Sequence, residues 1–254
     1  MNLLLLEAGE VDAGGGVTVS GARARHLLDV LRVDPGQTVR VGILNGPIGT
    51  AHVVACNRPG GSVMLTCVLA DAPPRPAVDL LLAVPRPKVL RRLWAQIAAL
   101  GVGRVLLTNA ARVERNYFDT HVLDPATYVP LLVEGLQQAR DTHLPEVSVH
   151  RQFKVLVEDH LDALAGGALR LVAEPGATTR VADALPTGSA PRVLLAVGPE
   201  GGWNDFELNL LGRHRFTAVD MGPRTLRSDT ACIALLTLVH DALRARPSGT
   251  PSQA

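Results

Sequence analysis

From Val78 onward, apolar runs alternate with stretches whose apolar residues recur every three to four positions. This rhythm limits the possible folds more than any other feature of the chain. Val78–Val84 reads as a parallel strand covered on both faces. Lys88–Leu100 then puts Val89, Leu90, Leu93, Trp94, Ile97 and Leu100 on one helical face, and Gly101 stops it. Val105–Leu107 is the next strand. The pattern continues through helix Pro125–Arg140, strand Val147–Val149, helix Phe153–Leu164 and strands Leu169–Ala173 and Val193–Val197. Helix Asp205–Leu211, strand Phe216–Met221 and a long helix over Asp229–Arg246 complete it. Such alternation predicts the α/β class, a parallel sheet with helices on its faces.

Residues 1–72 follow a different rhythm. Val17–Val19, Thr38–Val41, Ala51–Ala55 and Val63–Leu69 are short β-type runs. Gly14-Gly15-Gly16, Asn45-Gly46-Pro47 and Arg58-Pro59-Gly60-Gly61 punctuate them. One helix is expected over Ala22–Val33, with Leu27, Leu28, Val30 and Leu31 as its apolar positions. A mostly β unit of this size suggests a small barrel. The glycine triplet leads into a strand and not a helix, so it is a turn and not a dinucleotide fingerprint. The proline-rich segment 71–76 is a stiff linker. The expected division is 1–72, 73–246 and a disordered tail over 247–254.

Among the 254 residues, 47% are apolar and 19% charged, which excludes a disordered chain. The 25 basic residues nearly cancel the 24 acidic ones, so no global field announces nucleic acid. Local charge does: within 73–115, Arg75, Arg86, Lys88, Arg91, Arg92, Arg104, Arg112 and Arg115 face only Asp79 and Glu114. Clustered arginine is the footprint of a phosphate backbone. Cys56, Cys67 and Cys232 have neither disulfide nor metal-ligand spacing, so no metal is expected. The start lacks a basic n-region, and no run of 18 apolar residues occurs. A cytoplasmic protein without membrane contact is expected.

In an open α/β sheet, ligands bind beyond the carboxyl ends of the strands. Three such ends are unusual: Leu171–Gly176, Val197-Gly-Pro-Glu-Gly-Gly-Trp203 and Met221-Gly-Pro-Arg-Thr-Leu-Arg-Ser-Asp-Thr230. The glycines of the second permit close backbone approach or positive φ. Asn204 and Glu207 form a capping pattern for the helix that follows. No Lys-Ser/Thr pair follows the glycines, which excludes a P-loop. Glu200 would repel a phosphate and suits a neutral or cationic ligand. In the third segment, Ser228 or Asp229 can cap the last helix, and Arg224 and Arg227 stand beside the second loop.

These two C-terminal motifs resemble the signature of the ribosomal RNA small subunit methyltransferase E family, within the SPOUT superfamily. Weaker similarity extends upstream through Gln96–Val102, Glu134–Arg140 with Pro145, and His26 with Val30-Leu31-Arg32 and Gly36. The resemblance implies a SPOUT domain with a deep trefoil knot over 73–246, preceded by a PUA-like, RNA-binding barrel over 1–72. It implies S-adenosylmethionine as cofactor, held by Leu171, Ala173, Glu174, Val197, Gly198, Pro199, Gly201, Gly202, Met221, Gly222 and Leu226. It implies methylation at N3 of a uridine in 16S rRNA, free or in the assembled small ribosomal subunit, by a homodimer. Arg227 and Arg224 would stabilise charge on the base. Glu200 would orient a base, balance the sulfonium or satisfy backbone N–H groups. Arg23, Arg25, His26, Arg32, Lys88, Arg91, Arg92 and Arg140 would face RNA. Ala99 stands where the family usually has Glu. That change motivates the alternative, a non-catalytic rRNA-binding or ribosome-assembly factor on the same fold.

Overall fold

The structure, a computed structural model, describes residues 2–186 and 192–245. Arg246 and the tail expected over 247–254 lie outside the described residues. The chain forms two compact units, Met1–Arg75 with Pro130–Leu144, and Pro76–Val129 with Pro145–Ala254. The sequence reading gave 130–144 to the second unit. Hydrogen bonds explain the difference. Asn45 N donates to Thr142 O at 2.7 Å, and Thr142 Oγ1 donates to Gly46 O at 2.7 Å. Leu144 N donates to Asn45 Oδ1 at 2.9 Å. The helical period marks this stretch as a helix but does not say what it packs on.

The first unit holds strands β1 (Leu4–Leu6), β2 (Gly16–Ser20), β3 (Thr38–Ile43), β4 (Ile48–Asn57) and β5 (Ser62–Leu69). Their order is β1-β3-β4-β5-β2, with only the β1–β3 pair parallel. Alternation along β5 buries Val63 and Leu65 and exposes Met64, as a half-covered sheet requires. β1 was not anticipated, because four consecutive leucines carry no alternation. The glycine triplet is a turn: the Asp12 carboxylate accepts from Gly14 N and Gly16 N, each at 2.8 Å. The helix expected over Ala22–Val33 is instead α1 (Gly21–Arg25) followed by a wider turn over His26–Val30. Leu31 N reaches back five residues to His26 O at 3.0 Å. This widening keeps Leu27 and Leu28 buried, leaves Val30 and Leu31 exposed, and is followed by Arg32 at φ 53°.

The second unit holds β6 (Val78–Ala83), β7 (Val102–Thr108), β8 (Glu146–His150), β9 (Leu169–Ala173), β10 (Val193–Val197) and β11 (Phe216–Val219). The order is β11-β9-β10-β6-β7-β8, and every pair is parallel. Central strands β6 and β10 are buried along their whole length, as continuous apolar runs predict. The helices that follow α1 are α2 (Pro87–Ala99), α3 (Pro125–Ala139), which runs on into the 130–144 segment of the first unit, the short α4 (Phe153–Val155), α5 (Leu161–Ala165) and α6 (Val181–Ala184), and then α7 (Asp205–Arg213) and α8 (Ser228–Arg244). The helix expected over Phe153–Leu164 is broken by a wide turn at Leu156–His160. β11 stops at Val219, short of the expected Met221. There the Asp220 carboxylate accepts from Met221 N at 2.8 Å and Gly222 N at 3.2 Å, which turns the backbone out of the sheet. α8 buries Cys232, Leu235, Leu236 and Val239, while Leu238 on the same helix is exposed.

Candidate active site

Because β9, β10 and β11 are parallel neighbours, the loops that follow them emerge at one edge of the sheet. Together with the start of α8 they line an open cleft of about 210 Å³. Ala173 and Glu174 line it from β9. Val197, Gly198, Pro199, Glu200, Gly201 and Gly202 line it from β10. Met221, Gly222, Arg224 and Leu226 line it from the third loop. Leu171, expected among them, is fully buried within β9 and does not line the cleft. Strand alternation and its position two residues before the strand end hold it inside the sheet.

Gly202 adopts φ +73°, a conformation that side chains with a Cβ rarely take. The helix after this loop is fixed reciprocally. Asn204 Oδ1 accepts from Glu207 N at 2.8 Å, and Glu207 Oε2 accepts from Asn204 N at 2.9 Å. This is the expected capping box. Glu207 is 3% exposed and does more than cap. Its Oε1 also accepts from Ala111 N at 2.6 Å, so the loop after β7 is tied to the glycine loop.

Glu200 has a partner of its own. Its carboxylate accepts from Arg86 N at 3.5 Å and lies 3.6 Å from the Arg86 guanidinium. Burial pushes the Glu174 carboxyl above its ordinary range, with Arg112 pulling it back. Arg224 lines the cleft. Arg227 does not. It is the exposed N-cap residue of α8, a position the sequence reading assigned to Ser228 or Asp229. Ser228 instead begins the helix, with its hydroxyl buried and unpartnered. Asp229 accepts from Thr230 N at 2.9 Å and from Arg92 at 3.0 Å. A second orphan, the indole N–H of Trp203, also belongs to a residue of the cleft wall.

The expected RNA-facing residues separate into two groups. In the second unit, Lys88, Arg91 and Arg92 are exposed at i, i+3 and i+4 on α2 and share a face. In the first unit, Arg25, Arg32 and Arg140 are exposed. Arg23 is engaged in a two-pronged pair with Glu10 and also donates to Leu5 O at 3.2 Å. The His26 Nε2 is buried without a partner, and burial pushes its imidazole pKa down. Both are poorer RNA ligands than their neighbours. Ala99 is exposed near the end of α2 and is not part of the cleft wall. The sequence reading gives Asp220 no part in the site, offers Ser228 only as a helix cap and Arg112 only as one of the basic residues of 73–115. Trp203 stood in the quoted motif without being assigned a role. No group of three or more metal-ligating side chains occurs among the described residues. Among the same residues, no helix is long and apolar enough to cross a membrane.

A six-stranded parallel sheet with a cleft beyond three neighbouring strand ends is the frame in which open α/β proteins bind their ligands. The family model described as RNA methyltransferase domain matches residues 73–240. The ribosomal RNA small subunit methyltransferase E of Treponema pallidum is 30% identical over 94% of this chain and 90% of its own. That of Mycobacterium bovis is 28% identical over 89% and 86%. The chain belongs to the ribosomal RNA small subunit methyltransferase E family. The fold agrees. A Neisseria gonorrhoeae family member, solved bound to S-adenosyl methionine, superposes with a TM-score of 0.75 at 19% identity, covering 95% of this chain and 97% of that one. A Legionella pneumophila methyltransferase, solved with the same cofactor, gives 0.73 at 21% identity, covering 95% and 97%.

Proposed function

We propose that this chain methylates small-subunit ribosomal RNA, using S-adenosylmethionine, at N3 of a uridine in 16S rRNA. The observation that carries this reading is the single cleft formed by three strand-end loops, with two orphaned polar atoms in residues of its wall. Leu226 supplies an apolar surface for adenine, and the glycine loop supplies backbone groups at close range. Glu174 supplies a carboxylate suited to hydroxyls or a cation. This lining fits the cofactor, which when bound supplies an activated methyl group on a sulfonium.

The chain's own residues bind, orient and stabilise. The uridine N3–H is a poor nucleophile until its proton leaves, and charge then develops on O2 and O4. Arg224, on the cleft wall, is our candidate to stabilise that charge. Arg227, outside the wall, is assigned to a backbone phosphate. Glu200, held by Arg86, presents a carboxylate at the cleft wall. The second unit acts as the SPOUT methyltransferase domain, knotted as in its superfamily. Residues 1–72 act as a PUA-like RNA-binding barrel, with Arg25, Arg32 and Arg140 presented by the first unit. The active form is a cytoplasmic homodimer.

Mass spectrometry of 16S rRNA from cells with and without the gene tests the reaction. Loss of one N3-methyluridine is expected, and an unchanged modification profile would overturn it. Single-turnover assays at saturating RNA separate the arginines. Arg224→Ala is expected to lower the rate by about 10²–10³. Arg227→Ala should leave that rate nearly intact while flattening the salt dependence of RNA binding by about one unit of slope.

A further inference from the structure

Arg112 stands on the loop after β7, outside both C-terminal motifs. Its root is fixed: Ala111 N is bonded to the buried Glu207, and Val113 N donates to Ala110 O at 3.0 Å. From there its guanidinium Nη1 donates to Gly201 O. Its stem lies across Gly201 so closely that a Cβ added there would sit 2.8 Å from Arg112 Cδ. The same guanidinium lies 3.9 Å from where a Gly202 Cβ would be. One side chain therefore covers the glycine loop from outside.

We propose that Arg112 is a positioning residue of the cofactor cleft, clamping the glycine loop through Gly201 O and so setting how long the cofactor stays bound. The cofactor part rests on the S-adenosylmethionine reading above; the clamp itself does not. A first consequence concerns Gly201. The space beside it is taken by Arg112, so a methyl group there meets the arginine stem. Gly201→Ala and Arg112→Ala should therefore break the same contact. A second consequence concerns Glu174, whose charged neighbours are Arg112 and Asp205. Arg112 favours its ionised form and Asp205 opposes it. Removing Arg112 moves the titration of Glu174 upward, so the pH dependence of cofactor binding should shift upward with it.

The test uses the full chain as wild type, Arg112→Ala, Arg112→Lys, Gly201→Ala and the Arg112→Ala/Gly201→Ala double variant. Hydrogen–deuterium exchange of residues 198–204, without ligand, reads the clamp directly. Either single alanine variant is expected to exchange about tenfold faster, the size of one lost charge-assisted hydrogen bond. The double variant should be no faster than either, and Arg112→Lys should recover part of the protection. The S-adenosylmethionine dissociation rate should rise in parallel, with the pH profile of its affinity displaced upward in Arg112→Ala. Unchanged exchange in Arg112→Ala and Gly201→Ala, or additive effects in the double variant, would overturn the clamp. Faster exchange with an unchanged dissociation rate would overturn its role in cofactor retention. A wild-type protein that does not bind S-adenosylmethionine would sink the cofactor reading, while the exchange arm would still decide the clamp.

Discussion

Gly202 acts through its backbone conformation and Glu10 through its charge. At φ +73°, Gly202 lets the glycine loop turn into the cleft. A β-branched side chain there pays about 1–2 kcal/mol or more in backbone strain and adds bulk to the cleft wall. Gly202→Val is expected to keep the circular dichroism spectrum and to lose at least tenfold in S-adenosylmethionine affinity by calorimetry; equal affinity would remove the cradle assignment. Glu10 is held by the Arg23 guanidinium, which pulls its carboxyl pKa down to about 2. A depressed carboxyl stabilises the fold above its unfolded pKa and loses that contribution as pH falls through the folded value. With both side chains part-exposed, solvent screening limits the effect to on the order of 1–2 kcal/mol. Urea midpoints of wild type and Glu10→Gln should differ at neutral pH and converge as pH falls from about 4.5 toward about 2.

At the scale of elements, the start of α7 couples a helix cap to a neighbouring loop. Asn204→Ala removes one capping bond and is expected to cost about 1 kcal/mol. Glu207→Ala orphans the N–H groups of both Asn204 and Ala111 and should cost roughly 2–3 kcal/mol. Urea denaturation that ranks the two variants the other way would contradict the shared role. This junction also explains what was legible in the sequence. The capping box was readable because its partners are three residues apart, and the strands were readable because β6 and β10 are unbroken apolar runs. The link from Glu207 to Ala111 spans elements far apart in sequence, and no local pattern encodes it. The contact of Arg112 with Gly201 spans elements equally far apart, so the sequence shows Arg112 only as a member of a basic cluster. The wide turns at His26–Val30 and Leu156–His160 were read as ordinary helix because the apolar spacing of a five-residue segment does not distinguish one period from the other. Leu171 falls within the motif yet lies buried in β9, because a motif marks the neighbourhood of a ligand without marking which side chains face it.

For the molecule as a whole, α8 carries more apolar surface than its own sheet covers. Leu235, Leu236 and Val239 are core, whereas Leu238 is 40% exposed. For the homodimer proposed above, the exposed Leu238 is the interface residue to test. Light scattering of Leu238→Glu is expected to give the monomer mass where wild type gives twice that; a wild-type mass equal to the monomer at all concentrations would refute the dimer. The division of the chain into units has a different kind of consequence. The first unit is completed by a segment that begins well after its own sheet has ended. Gly42 leaves the gap that Thr142 fills: a Cβ at Gly42 would sit 2.6 Å from the Thr142 methyl. Residues 75 and 144 are separated by about seventy positions, which at roughly 5–20 residues per second takes about 3–14 s to synthesise. For those seconds the nascent chain carries a sheet with an unfilled notch at Gly42 while β6 and β7 leave the ribosome, and the first unit closes only when Thr142 arrives.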